Sequence, residues 1–174
     1  MDRILIYRLG SLGDTLVALP ALRVVRNRYP LARITLLTNL PVAGKAASAV
    51  SVLEGLGLVN EFLAYPIGTR NLIKLLCLLG GIRQQHFDAV INLAAWRGRA
   101  RMRRDRWFFG LAGIKAKIGL EGSSGDYLQL RVDGHAESEA ARLLRRVEAL
   151  GTLHDRQLST ADSLPTTLLI QFWL

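Results

Sequence analysis

Residues 4–30 read ILIYRLGSLGDTLVALPALRVVRNRYP, and this stretch decides the fold. A short apolar run, 4–9, opens almost at the first residue. Gly10-Ser11-Leu12-Gly13-Asp14 follows, and then Leu16, Leu19, Leu22 and Val25 recur at spacings of three. The pattern is strand, glycine turn, amphipathic helix. The helix is expected over 14–28, with Asp14 suited to its first turn and a kink at Pro20, where a backbone hydrogen bond is lost. Tyr29-Pro30 ends it.

The same alternation continues outward. Strands are expected at 34–38, 61–65, 87–93 and 116–120. Helices are expected from Pro41 to about 56, from a Thr69 cap toward 85, over 97–111 and over 135–150. The last is the clearest, with Ala136, Ala140, Leu143, Leu144, Val147 and Leu150 on one stripe and Gly151 at its C-terminal cap. Strands alternating with helices imply an α/β fold with a parallel, doubly wound Rossmann-like sheet. Residues 1–151 read as one such domain. Residues 152–174 read as a linker and the start of a second unit, because 166–174 is an uncharged strand-like run with no helix after it.

Composition agrees with a single domain. The chain has 174 residues, 50% of them hydrophobic, and 23 basic against 14 acidic side chains give a formal charge of +9. Disorder is excluded at this hydrophobicity. Cys77 is the lone cysteine, so no internal disulfide forms and the cytoplasm is the expected compartment. The apolar run after Met1 is broken at Arg8, which argues against a signal peptide. The longest central apolar stretch, 71–82, carries Lys74 and falls short of the ~18 residues that a membrane span needs.

The glycine turn carries the chemistry. It lacks the G-x-G-x-x-G of dinucleotide binders and the Gly-Lys-Ser/Thr of phosphate loops, and Asp14 sets a carboxylate where a phosphate would sit. Anion binding in this turn is therefore disfavoured. Two readings of Asp14 stay open on residue chemistry alone. It can cap the helix, the weightier reading since aspartate is common at helix starts. It can also act as a general base at the carboxyl edge of a parallel sheet.

The string ILIYRLGSLGDTLVALPALRVVRNRYPLARITLLTN resembles the N-terminus of family 9 glycosyltransferases, the ADP-heptose:lipopolysaccharide heptosyltransferases. FDAVINL, KAKIGL and HAESEAARLLRRVEALG are similar to later segments of the same family, so the resemblance runs over about residues 3–151. It implies the N-terminal, acceptor-side half of a GT-B enzyme. The nucleotide-sugar donor, ADP-heptose in type, would be held by a separate or missing C-terminal domain. In the family the aspartate matching Asp14 is the proposed base of an inverting displacement, and this shifts the weight to catalysis. One base suffices and no metal or other cofactor is implied; His86, His135 and His154 are scattered. Gly10 and Gly13 make the turn, while Arg8 and Ser11 flank Asp14 and could position acceptor oxygens. Asn92 stands where the family commonly has an acidic residue.

The charge is concentrated. Residues 97–117 hold eight lysines and arginines against Asp105 alone, +7 of the total. A lipopolysaccharide inner core carries carboxylates and phosphates, so the resemblance implies an arginine-rich acceptor site. Lys117 matches the family's basic residue beside the Ile-Gly turn, and Arg97 and Arg99 are further acceptor-contact candidates. The expected stripe Trp96, Ala100, Trp107 and Leu111 turns most of the arginines toward solvent or an anionic membrane surface. A non-catalytic module that binds anionic glycolipid or the membrane face is thus the alternative function, with peripheral association at the cytoplasmic membrane. Nucleic acid ranks below both, because no helix-turn-helix, zinc or RNA-binding aromatic signature accompanies the cluster.

Overall fold

The computed structural model describes residues 1–39, 53–65, 71–122, 129, 134–147 and 150. Within them, five strands form one parallel sheet: β1 (Arg3–Tyr7), β2 (Arg33–Thr38), β3 (Glu61–Ala64), β4 (Ala89–Asn92) and β5 (Ala116–Ile118). Their spatial order is β3-β2-β1-β4-β5. Ile4 pairs with Ile34 on one side and Ala89 on the other, and Ile91 pairs with Ile118. The Asp88 carboxylate fixes the amino edge by accepting from the backbone N–H groups of Asp2 at 2.6 Å and Arg3 at 3.0 Å. The expected Rossmann-like α/β sheet is the observed one.

The first helix divides in two. Helix α1 (Leu12–Val17) ends at Ala18, and α2 (Leu19–Arg28) restarts immediately. The break falls two residues before Pro20. Pro20 sits in the first turn of α2, where its missing N–H has no intrahelical partner to lose. Helix α3 (Leu72–Gln84) is capped by Asn71, whose side-chain oxygen accepts from Ile73 N at 2.9 Å and Lys74 N at 3.3 Å. The cap expected at Thr69 and most of the helix expected from Pro41 lie outside the described residues. So do Gly151 and the whole of 152–174. Helix α4 (Arg99–Leu111) begins two residues later than expected, and α5 (Glu139–Val147) covers the middle of the last expected helix.

Period-two alternation sorts the sheet's side chains to two faces. Ile4, Ile6, Ile34, Leu36 and Ile91 pack under α2 and α5 with Leu22, Val25, Leu143 and Val147. Leu5, Tyr7 and Val90 pack on the other face with Leu78, Ile82, Met102 and Phe109 of α3 and α4. Chain order reverses between β1 and β4, so the segments that follow these strands diverge and leave a crevice at their carboxyl ends. Asp14 stands at this crevice.

Helix α4 corrects the sequence reading. Its buried residues are Met102, Asp105 and Phe109, whereas Ala100, Trp107 and Leu111 are exposed. Of the expected apolar stripe, Ala100, Trp107 and Leu111 form the outer crest of the helix, while Trp96 precedes it and packs, half-buried, against the core. Core contact is made instead by a methionine, a phenylalanine and a carboxylate that neighbouring arginines neutralise.

Candidate active site

The turn after β1 is built around one carboxylate. Ser11 is the N-cap of α1 and forms a capping box with Asp14. The Asp14 Oδ2 accepts from the Ser11 backbone N–H at 2.6 Å and from the Ser11 hydroxyl at 2.8 Å. Oδ1 lies 3.6 Å from an Arg8 guanidinium nitrogen, and the Asp14 side chain is 47% exposed. Burial acts to raise the Asp14 carboxyl, but the Ser11 backbone and hydroxyl hydrogen bonds and the Arg8 charge outweigh it and hold the group below the usual carboxylate range. Asp14 is therefore ionised at neutral pH, with Oδ2 engaged by Ser11 and Oδ1 beside Arg8.

Gly10 is required here. Its φ is +154°, and a Cβ at this position would meet the Asp14 side chain at 2.6 Å. Its N–H donates to Asn39 Oδ1 at 2.7 Å, which ties the turn to the end of β2. Gly13 has no such constraint: it lies in the first turn of α1 with only the Ser11 hydroxyl near, so the turn rests on Gly10.

Arg8 is buried, not a solvated strand end. It is 1% exposed. One guanidinium nitrogen donates to the Leu93 carbonyl beyond β4, and the other to the Asp14 carbonyl at 2.5 Å. Burial lowers the Arg8 pKa, while Asp14 and Glu139 act against that shift. Arg8 thus bridges the crevice and fixes Asp14 from below.

Two further arginines, on α5, complete this support, and the residue pattern did not single them out. Arg142 is fully buried; it donates to Glu139 at 2.7 Å and to the Ala94 carbonyl at 3.2 Å. Arg146 donates to the Asn92 carbonyl at 2.7 Å and lies against Gly119, where a Cβ would collide with its side chain. Glu139 Oε1 is also 3.7 Å from Arg8. Among the described residues, three guanidiniums stand against two carboxylates at the base of the site. Asn92 is structural: its amide donates to Gly119 O at 2.9 Å and its oxygen accepts from Ala94 N at 3.1 Å.

The remaining candidates do not converge on Asp14. Arg97 donates to the Tyr7 hydroxyl at 2.8 Å and to Asp105 at 2.9 Å, and Arg104 pairs with Asp105 at 2.9 Å. Burial, foremost, raises the Tyr7 phenol; Asp105 adds to this and Arg97 opposes it. Arg97 is committed to holding the segment between β4 and α4. Arg99 is exposed at the start of α4, on the carboxyl-edge side. Lys117 pairs in register with Val90, which is level with Leu5, two strands across and two residues below the end of β1. It borders a hollow of about 280 Å³ with Arg106, Trp107, Gly110 and Leu111, away from the carboxylate. Among the described residues, no group of three or more histidine, cysteine or acidic side chains is placed to hold a metal ion.

The parallel Rossmann-like sheet defines the fold class of the molecule, and solved structures share that fold. A family 9 glycosyl transferase from Veillonella parvula DSM 2008 shares the fold with a TM-score of 0.61 and 19% identity, over 87% of this chain and 42% of that one. The E. coli heptosyltransferase WaaC with ADP shares it with a TM-score of 0.53 and 15% identity, over 94% of this chain and 54% of that one. The chain spans about half the length of the structures it matches. No protein-family model matches the chain, and no curated protein sequence does. The resemblance read from residues 3–151 holds at the level of the fold.

Proposed function

We propose that the chain is the acceptor-side half of a family 9 glycosyltransferase of heptosyltransferase type. It would transfer a sugar from an ADP-sugar, ADP-heptose in type, to an anionic lipopolysaccharide-core acceptor. The observation that carries the reading is the Asp14 carboxylate. It is ionised, half exposed and braced by Ser11 and Arg8 at the switch-point crevice of a sheet whose fold recurs in glycosyltransferases.

In this reading Asp14 Oδ1 takes the proton of an acceptor hydroxyl as its oxygen bonds to the anomeric carbon. The bond from that carbon to the diphosphate breaks, ADP leaves with the electron pair, and the configuration inverts. Arg8, with Glu139 beside it, orients the carboxylate and favours its charged form. Arg99 remains an acceptor-contact candidate from its place at the start of α4. Donor contacts belong to a C-terminal half, and the displacement needs no metal.

The test is complementation. The chain is combined with a separately produced C-terminal half of a family 9 enzyme, ADP-heptose and a lipopolysaccharide inner-core acceptor. ADP release is expected only when both halves are present. No release from a mixture whose donor half binds ADP-heptose normally contradicts the proposal.

A further inference from the structure

The α3/α4 face of the sheet carries an unusual surface. Leu72, Ile73 and Leu76 on α3, with Trp107 and Leu111 on α4, are each between 59% and 72% exposed. On α4 the helical repeat sets the two apolar residues on the outer crest, with Arg103 and Arg106 on one flank and Arg101 and Arg104 on the other. Arg103 and Arg106 also wall a groove of about 570 Å³ lined on its far side by Leu120, Glu121 and Gly122. Among the described residues, Arg104 pairs with a carboxylate, that of Asp105. A large indole and leucines standing clear of the surface between rows of guanidinium suit an interface where apolar groups enter a hydrocarbon boundary and cations meet phosphate.

We infer that this face docks on an anionic phospholipid bilayer. Charge complementarity selects the occupant. An uncharged protein partner would cover the leucines but leave the arginines desolvated without partners, whereas a phosphate-bearing surface serves both groups. Topology fits this orientation. Helices α3 and α4 both begin at the carboxyl edge of the sheet, because they follow β3 and β4. Docking through their outer faces therefore keeps the edge that bears Asp14 beside the membrane, within reach of an acceptor anchored there. The docking itself does not depend on Asp14 or on sugar transfer. Among the described residues, no helix is long and apolar enough to cross a membrane, so the contact is peripheral.

The test uses the full 174-residue chain with vesicles of phosphatidylcholine alone and of phosphatidylcholine with phosphatidylglycerol. Co-sedimentation is expected with the anionic vesicles, weakening as salt rises. Two double variants, Trp107→Ala with Leu111→Ser and Arg103→Gln with Arg106→Gln, are each expected to weaken vesicle binding by about tenfold or more while circular dichroism and melting stay unchanged. Equal binding to both vesicle types, binding to neither, or wild-type binding by both variants overturns the inference. So does a lipid-free dimer or an RNA complex that the Trp107 variant abolishes, if anionic vesicles are not bound. None of these outcomes alters the ADP-release assay, so a failure here is distinguishable from a failure of the glycosyltransferase reading.

Discussion

The two faces of the sheet bury comparable strands but treat charge in opposite ways. Under α2 and α5, arginines are drawn inward: Arg142 and Arg146 are buried and their guanidiniums are spent on Glu139 and on the carbonyls beyond β4. Over α3 and α4, arginines stand outward around exposed Trp107 and Leu111. A buried guanidinium is tolerated only where carbonyls and carboxylates satisfy it, and that need fixes the geometry of the crevice. An exposed one remains available to an outside partner. The first face therefore builds the site, and the second offers a surface.

Substitutions should separate the faces by magnitude. Arg142→Ala strands Glu139 and a buried carbonyl, and is expected to cost about 3–5 kcal/mol in urea unfolding. A loss under about 1 kcal/mol would show that the inward arginines do not brace the fold. Gly10→Ala comes next, at about 1–3 kcal/mol, since the added Cβ collides with Asp14 and φ is unfavourable. Ser11→Ala removes two hydrogen bonds of its hydroxyl, one accepted from Asp14 N–H and one donated to Asp14 Oδ2, and is expected to cost about 1 kcal/mol.

Ser11→Ala should also move the acid limb of stability. The Asp14 pKa is depressed on folding, so its contribution is complete above the unfolded value of about 3.9 and is lost as pH falls through the lower folded value. Without the hydroxyl the folded value rises toward the unfolded one, so a pH titration of stability should show a smaller acid-limb loss that is complete at higher pH. On the opposite face, Trp107→Ala is expected to change stability by no more than about 0.5 kcal/mol. A larger loss would mean that the crest packs against something in the folded chain.

Much of this was legible in residues. The strand–turn–helix at 4–28 and the alternation after it follow from hydrophobic period and glycine placement, and they give the parallel sheet. Asp14 and Ser11 were visible because a serine and an aspartate on either side of Gly13 stand where a helix starts. The role of Arg8 was half legible: its position was clear, but its burial depends on carbonyls from β4 and a carboxylate from α5, which are distant in sequence. Arg142 and Arg146 were invisible for the same reason, since an arginine beside Leu143 and Val147 reads as the wet side of a helix. Helix α4 was inverted because tryptophan and leucine at helical spacing normally mark a core. The signal that pointed the other way was Asp105, the single acid among eight bases, which lies on the buried side with Arg97 and Arg104.

The most direct test is the rate of ADP release by the reconstituted halves with Asp14→Asn. The amide is close in size to the carboxylate and keeps an oxygen for the Ser11 hydrogen bonds, so the fold should survive while the base is lost. A fall in rate of about 10²–10⁴ with acceptor binding unchanged is predicted. A variant that folds, binds acceptor and transfers sugar at the wild-type rate would reduce Asp14 to a helix cap and contradict the account.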